Sequence, residues 1–265
     1  AEMLAYAKRY QILLDGNSGS AALDACIDRL NRLETTVTRP YFLEVLRLYN
    51  ESKLTLTQVT DIFLTTESYL FRRTMCDLPT NALNKIFLML HREIVRYDGT
   101  EDDYVEKFKY ALLSKKERAR FPDDVEFKVA FEERPVYLMN SKNKIYILER
   151  FENFGTSEDK DVYRHCDDGT YSIEHIMPQH LTPVWQKELG DDYEQIHEEW
   201  LHRMANLTLT AYNSKYNNSS FTEKKTMQNG FDDSGIRMNT WIAKKNKWTL
   251  AELEERSEYL MSRAL

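Results

Sequence analysis

Basic charge and long apolar runs are both scarce in this sequence of 265 residues. The formal net charge is −7, so the chain does not bind nucleic acid through overall charge, and a DNA partner would need a local basic face or a metal ion. No apolar run approaches the roughly 20 residues that a membrane-spanning helix needs, and the first residues lack the apolar segment of a signal peptide. We therefore expect a cytoplasmic protein with no membrane partner.

Cysteine is scarce too. The chain has three cysteines, far apart and without a Cys-x-x-Cys pair, at positions 26, 76 and 166. This pattern predicts free thiols in a reducing compartment and no structural zinc. Residues 165–168 read His-Cys-Asp-Asp, but no second Cys/His pair completes four zinc ligands. Because Asp168-Gly169 is typical of a hairpin turn, we interpret this segment as a polar hairpin loop.

Glycine is the third scarce residue type. Eight glycines occur in the whole chain, and none of them forms the glycine-rich loop that binds nucleotide phosphates. We therefore expect no nucleoside triphosphate in this chain.

What the sequence does contain is helical periodicity. Hydrophobic residues make up 42% of the chain, enough for a globular core. Positions 83, 86, 87, 90 and 94 are apolar and fall on one face of a helix. Similar stripes predict helices over 4–14, 21–33 and 56–70, a helix start at Pro122, and a further helix around 145–151.

The last third of the chain mixes strands with helices. A polar segment, 155–161, precedes a strand-like run that ends on Glu174-His175, and residues 207–211 alternate as a half-buried strand does. A helix is predicted between them, over 193–202. Ser220 with Glu223 and Thr249 with Glu252 are typical capping boxes. We therefore predict a mainly α (α+β) fold, with a helical region over 1–155 and a functional domain over 156–265.

Polar side chains gather at the predicted strand ends. Glu174 and His175 end the first strand, and Asn206 and Asn213 flank the second. If the two strands pair antiparallel, the end of the first meets the start of the second, and the helix after Asn213 covers both. A carboxylate, an imidazole and amides would then share one small space.

This set of residue types suits metal-assisted cleavage of a phosphodiester. A histidine can take a proton from water, and carboxylate and carbonyl oxygens are the ligands that Mg²⁺ prefers. The other nearby histidines, His197 and His202, are five positions apart and would point about 140° away from each other on a helix. They do not form the i, i+4 pair of a helical zinc site, so we expect no zinc.

Here the sequence resembles a known family. The segments IEHIMPQ (173–179) and MANLTLTAYNSKYNNSSFTEKK (204–225), in this order, resemble the C-terminal nuclease half of GmrSD-type modification-dependent restriction endonucleases. SGIRMNTWI and WTLAELEERSEYL extend the resemblance, and YLFRRTMCDLPTNALNKIF resembles the helical connector of full-length members. The family's nuclease half is of the HNH, or His-Me finger, type with a ββα-metal site.

The resemblance implies a role for each motif residue. His175 would be the general base, Asn206 would fix the catalytic loop or the base, and the Mg²⁺ or Mn²⁺ ligands would be Glu174, Asn213 and Asn217. DNA phosphate would be contacted by Lys224 and Lys225. The partners implied are double-stranded DNA, with or without modified bases, and an N-terminal half that hydrolyses nucleotide and senses DNA. The chain opens in mid-pattern, as a piece of a longer protein does.

Two departures and several alternatives stay open. Glu174 stands where many HNH enzymes have aspartate, and Ala205 stands where family members often have glycine. Asn206 has a purely structural alternative, as an amide that ties the strand turn. For the whole chain, the alternatives are a catalytically inactive nucleic-acid-binding module and a helical protein-interaction scaffold.

Overall fold

The computed structural model describes residues 2–33 and 36–265, and only the backbone of Asn213 and Ser214. Helices account for 66% of the protein, and within the described residues β-structure is limited to one sheet of two short strands. The predicted mainly α (α+β) class is therefore confirmed. None of the described helices has the length and apolar composition to cross a membrane.

The chain divides into two compact units, Ala1–Phe127 and Lys128–Leu265. The described helices that begin in the first unit are α1 (Glu2–Asp15), α2 (Ala21–Arg32), α3 (Arg39–Asn50), α4 (Leu56–Met75), α5 (Leu83–Arg96), α6 (Tyr104–Leu113) and α7 (Asp124–Glu133), the last of which ends in the second unit. The predicted functional boundary between residues 155 and 156 stays a prediction.

The first unit is built on the predicted helical stripes. In α5 the five apolar positions identified from spacing are all buried, because residues three and four apart share one face of a helix. Helix α4 begins at a capping box in which the Thr55 hydroxyl accepts from the backbone N–H of Gln58. Packed aromatic rings fill the centre of this unit, among them Tyr41, Phe42, Phe63, Phe87 and Phe108.

The second unit contains both strands. Its elements are α8 (Ser141–Glu152), α9 (Val162–Asp167), β1 (Ser172–His175), α10 (Pro183–Leu189), α11 (Tyr193–Trp200), β2 (Leu207–Thr210), α12 (Asn213–Tyr216), α13 (Phe221–Thr226), α14 (Asn239–Ala243) and α15 (Leu250–Ala264). Both predicted capping boxes are present, at the starts of α13 and α15.

The two strands pair antiparallel, as the sequence predicted. Glu174 lies opposite Thr208, and His175 lies opposite Leu207. The excursion that joins the strands contributes Trp185 and Trp200 to the core of the unit. An isolated pair of short strands is marginally stable in water, so the helices around this pair must hold it in place.

Helices α14 and α15 hold β2 through buried hydrogen bonds. Asn239 of α14 accepts from the hydroxyl of Thr208 at 2.5 Å and donates to the carbonyl of Leu209 at 3.2 Å. Arg256 of α15 donates from Nη1 to the carbonyls of Ala205 and Leu207 at 2.7 and 2.9 Å. Burial lowers the pKa of this arginine to about 9. The start of β2 therefore depends on a side chain from the last helix.

The prediction of a hairpin loop at 165–168 is wrong. These residues form the C-terminal end of helix α9. Asp161 caps the start of this helix, because its side chain accepts a hydrogen bond from the backbone N–H of Arg164. Gly169 has φ +77°, a conformation that glycine adopts readily just after a helix. The Asp-Gly pair therefore ends a helix that leads into β1. The polar segment 155–161 contains neither helix nor strand.

Candidate active site

The candidate site begins at the end of β1, where Glu174 and His175 follow each other. Strand pairing continues one residue further, because the backbone N–H of Ile176 donates to the carbonyl of Asn206 at 3.0 Å. The end of the first strand and the start of the second are therefore side by side, as the sequence predicted. Both side chains are largely buried, with exposed fractions of 4% for Glu174 and 5% for His175.

Asn206 is fully buried and ties down the turn after β1. Its Oδ1 accepts from the backbone N–H of Met177 at 2.8 Å, and its Nδ2 donates to the Met177 carbonyl at 2.9 Å and to the Leu201 carbonyl at 3.1 Å. The indole N–H of Trp248 also reaches Oδ1 at 3.3 Å. The amide thus joins three segments of the chain. The amide acts on the loop that follows His175, through Met177, and not on the imidazole itself.

Lys224 lies inside the protein. Its side chain is completely buried, and its ammonium group donates to Oε1 of Glu174 at 2.5 Å and to the carbonyls of His175 and Ile176 at 2.8 and 3.2 Å. A lysine in contact with DNA phosphate would have to be exposed, so the predicted DNA contact of Lys224 does not fit this structure. The charged residues next to it, Glu223 and Lys225, favour exposure and not burial in the sequence.

Lys225 is half-buried and also has partners within the protein. Its ammonium group donates to the carbonyl of Lys245 at 2.7 Å and lies 4.0 Å from Oδ1 of Asp232. Its predicted contact with DNA stays a prediction.

The ion pair of Glu174 and Lys224 is largely buried. Burial raises the pKa of Glu174 and lowers the pKa of Lys224, and the attraction between the two groups opposes both shifts. The carboxylate has two oxygens with about four lone-pair sites, of which Lys224 engages one oxygen. Capacity therefore remains for a second partner.

Aromatic rings surround the imidazole of His175. The ring of Tyr137 meets it edge to face at a centroid distance of 4.3 Å, and Tyr137 stacks on His202 at 5.4 Å. Nε2 of His175 lies 3.3 Å from Nδ1 of His202, and Nδ1 of His175 lies 3.4 Å from Nε2 of Gln179. Burial, followed by repulsion from His202 and Lys224, lowers the pKa of His175 to about 3, so the imidazole is neutral at neutral pH.

A polar cavity of about 260 Å³ opens beside this imidazole. Its lining residues are Tyr137, Ile173, Glu174, His175, Pro178, Gln179, His180, Asn217 and Asn218. The imidazole of His175 is thus buried and at the same time borders this cavity. Gln179 and His180 are exposed at its edge.

The two remaining predicted metal ligands are Asn213 and Asn217, and the structure describes the side chain of Asn217 only. The side chain of Asn213 lies outside the described part of the chain, although its backbone begins α12. Asn217 is exposed, lines the cavity and has φ +40°. Asparagine tolerates this left-handed conformation better than most residues. The backbone conformation can therefore explain an asparagine at position 217 without any role in metal binding.

The donor groups of the cavity suit a hard divalent cation. Mg²⁺ is commonly bound by one or two carboxylates plus water and substrate phosphate oxygens, and Glu174 and Asn217 offer a carboxylate and an amide oxygen. The described residues contain no cluster of three or more His, Cys, Asp or Glu side chains that could hold a metal ion. A magnesium site with one carboxylate needs no such cluster.

Sequence reasoning missed Tyr137, His202 and Gln179. Tyr137 is 38 positions before His175 and lies in a 3₁₀ turn, so no local pattern connects the two. The spacing of His197 and His202 suggests only a test for a helical zinc pair, whereas α11 ends at Trp200 and His197 bonds to the carbonyl of Pro178 at 3.0 Å. Gln179 is four residues after His175, which was the available signal.

Residues 121–263 match the family described as GmrSD restriction endonucleases, C-terminal domain. The matched segment is more than half of the chain and contains every residue of the site. The chain belongs to this family. No curated protein gives a match. As a GmrSD C-terminal domain, the protein is a restriction endonuclease module, and DNA is the substrate that this class implies. The resemblance identified from the sequence motifs is confirmed.

Proposed function

We propose that the second unit is a metal-dependent DNA endonuclease of the HNH, or His-Me finger, type, with His175 as general base. The observation that carries this proposal is the adjacency of Glu174 and His175 at the end of β1, both bordering one polar cavity. The fixed turn after His175, held by Asn206, supports it further, because a general base must be held within reach of its proton.

In this proposal His175 takes a proton from a water molecule in the cavity. The neutral imidazole accepts the proton, the resulting hydroxide attacks the phosphorus, and the bond to the leaving oxygen breaks. Burial keeps the free imidazole neutral. A DNA phosphate brought into the cavity adds negative charge beside it and raises its pKa, which favours proton transfer.

Glu174 would hold Mg²⁺ or Mn²⁺ together with amide oxygens from Asn217 and Asn213. Bound there, such an ion stabilises negative charge on the phosphate and the leaving oxygen. Lys224 keeps the carboxylate in position from the protein side. We expect neither zinc nor a nucleoside triphosphate in this module.

The partners in this proposal are double-stranded DNA, with or without modified bases, and an N-terminal half that hydrolyses nucleotide and senses DNA. Both follow from the family, in which modification-dependent restriction couples the two halves. A cytoplasmic location is part of the same proposal.

One observation favours a second candidate, a nucleic-acid-binding module that does not cleave. The ammonium group of Lys224 already neutralises Glu174. If this ion pair took up the whole binding capacity of the carboxylate, no metal ion would bind and the cavity would only receive DNA.

Nicking of supercoiled plasmid DNA in Mg²⁺ or Mn²⁺ separates the two candidates. The wild-type protein should nick, and His175→Ala should lose about 10²–10⁴-fold in rate while DNA binding is retained. His180→Ala is the matched control, because His180 borders the same cavity but is exposed. Equal rates for His175→Ala and wild type would exclude His175 as the base. DNA binding without any wild-type nicking would favour the second candidate.

A further inference from the structure

We propose that His202 is a positioning residue that sets the tautomer of His175. This inference rests on the proposed function, since it concerns the base of that reaction. It starts from one contact: Nδ1 of His202 lies 3.3 Å from Nε2 of His175. One of these two nitrogens must carry the hydrogen and the other must accept it.

The second nitrogen of His175 decides which one donates. Nδ1 of His175 lies 3.4 Å from Nε2 of Gln179, an amide nitrogen that can only donate. If His175 carried its hydrogen on Nδ1, two donors would face each other. His175 therefore carries its hydrogen on Nε2 and donates it to His202, and its lone pair is on Nδ1.

In this tautomer the two ring nitrogens of His175 have different roles. Nδ1 is the atom that accepts the proton of the water, whose O–H bond breaks as the N–H bond forms, and the long contact with Gln179 gives way to that water. Nε2–H stays bonded to His202 throughout, and this hydrogen bond strengthens as the imidazole becomes positively charged. His202 keeps its own proton on Nε2.

Tyr137 keeps the ring of His202 in this orientation. The two rings are nearly parallel, with an interplanar angle of 10°, and the backbone N–H of Tyr137 donates to the carbonyl of His202 at 3.1 Å. Tyr137 also packs edge to face on His175. The acceptor and the base are thus held by the same aromatic side chain.

Two substitutions of His202 test the inference. His202→Asn keeps an acceptor, because Oδ1 of asparagine occupies nearly the place of Nδ1, whereas His202→Leu removes it at similar volume. We expect kcat for plasmid nicking to fall about 10- to 100-fold in His202→Leu, as a part of the general-base contribution, and to stay within about threefold in His202→Asn. KM should change little in either variant.

A double variant and a spectroscopic readout separate positioning from a merely structural role. In the His175→Ala background, His202→Leu should cause no further loss of nicking rate, because the two substitutions remove the same function. Imidazole ¹⁵N NMR should show His175 protonated on Nε2 in the wild type and in His202→Asn, and a mixture of tautomers in His202→Leu. This readout needs no cleavage.

The possible failures are distinguishable. If His175→Ala cleaves as the wild type does, the proposed function is wrong. If His175→Ala is inactive but His202→Leu is fully active, the role of His202 alone is overturned. Protonation of His175 on Nδ1 in the wild type would overturn it as well. Equal losses in His202→Leu and His202→Asn would show that the acceptor is not what matters.

Discussion

The ammonium nitrogen of Lys224 lies 2.5 Å from Oε1 of Glu174, so a complete ion pair is enclosed beneath the wall of the cavity. Removing one partner of a buried pair leaves the other charge without compensation, which costs about 3–5 kcal/mol. We expect Lys224→Met to lower the free energy of unfolding by about this amount in urea denaturation. Adding Glu174→Gln should restore part of the loss.

Lys225→Met is the matched control for this prediction. Its side chain is partly exposed and its partner at hydrogen-bond distance is a single carbonyl, so the expected loss is below about 1.5 kcal/mol. Equal losses for the two lysines would contradict the importance of the pair. So would a double variant that is no more stable than Lys224→Met.

Asn206 should be indispensable for the turn after β1. Asn206→Ala leaves the buried N–H and carbonyl of Met177 without their partner, and each such group costs about 1–3 kcal/mol. We expect the free energy of unfolding to fall by about 2–4 kcal/mol, and nicking to fall with it. Thermal unfolding of Asn206→Ala against Asn218→Ala measures this, since Asn218 borders the cavity without full burial. An Asn206→Ala protein with unchanged stability but no cleavage would favour a direct catalytic role.

Acid should destabilise the protein through His175. In the unfolded chain this imidazole takes up a proton below its ordinary pKa of 6.5, whereas in the folded protein it stays neutral down to about 3. The unfolded state therefore binds more protons in this window, and stability falls as the pH falls. Between pH 7 and pH 5 the wild type should lose about 2 kcal/mol more than His175→Gln.

Urea denaturation of both proteins in a chelating buffer measures this difference, because chelation removes metal effects. Parallel loss of stability in the two proteins would show that other groups cause the acid sensitivity. A wild type that becomes more stable on acidification would contradict a neutral buried imidazole.

Cleavage should depend on a weakly held divalent cation. We expect EDTA to abolish nicking and Mg²⁺ or Mn²⁺ to restore it, because oxygen ligands hold these ions exchangeably. Glu174→Gln should need more metal for half-maximal rate, and calorimetric titration with Mn²⁺ gives the same comparison without DNA. One tight zinc per purified chain, or nicking that persists in EDTA, would refute this site.

The parts that could be predicted from the sequence are those set by local pattern. The strand at 207–210 and the capping box at Ser220 are indicated by alternation and by residue spacing, although the strand is buried on both faces and not half-buried. The prediction of a hairpin loop where helix 162–167 ends is wrong because an Asp-Gly pair is common both in hairpin turns and just after the C-terminus of a helix. Only contacts made elsewhere in the chain separate these two uses.

The chemistry around His175 could not be predicted, because its neighbours come from distant segments. Tyr137 contacts it from before the first strand, and His202 contacts it from the excursion 27 positions later. Lys224 stands in a run of charged residues, which predicts an exposed side chain. Three residues before it is Phe221, a fully buried core residue on the same face of the helix, and this spacing was the available hint.

The bond from Arg256 to the carbonyls of Ala205 and Leu207 has a consequence during synthesis. Translation runs from the N-terminus, so a nascent chain carries Glu174, His175 and both strands before α15 has emerged. Without the guanidinium, the carbonyls on either side of Asn206 lack their buried donor, and the turn that Asn206 holds is not yet secured. The turn that carries the candidate site is therefore completed only when α15 packs against the start of β2.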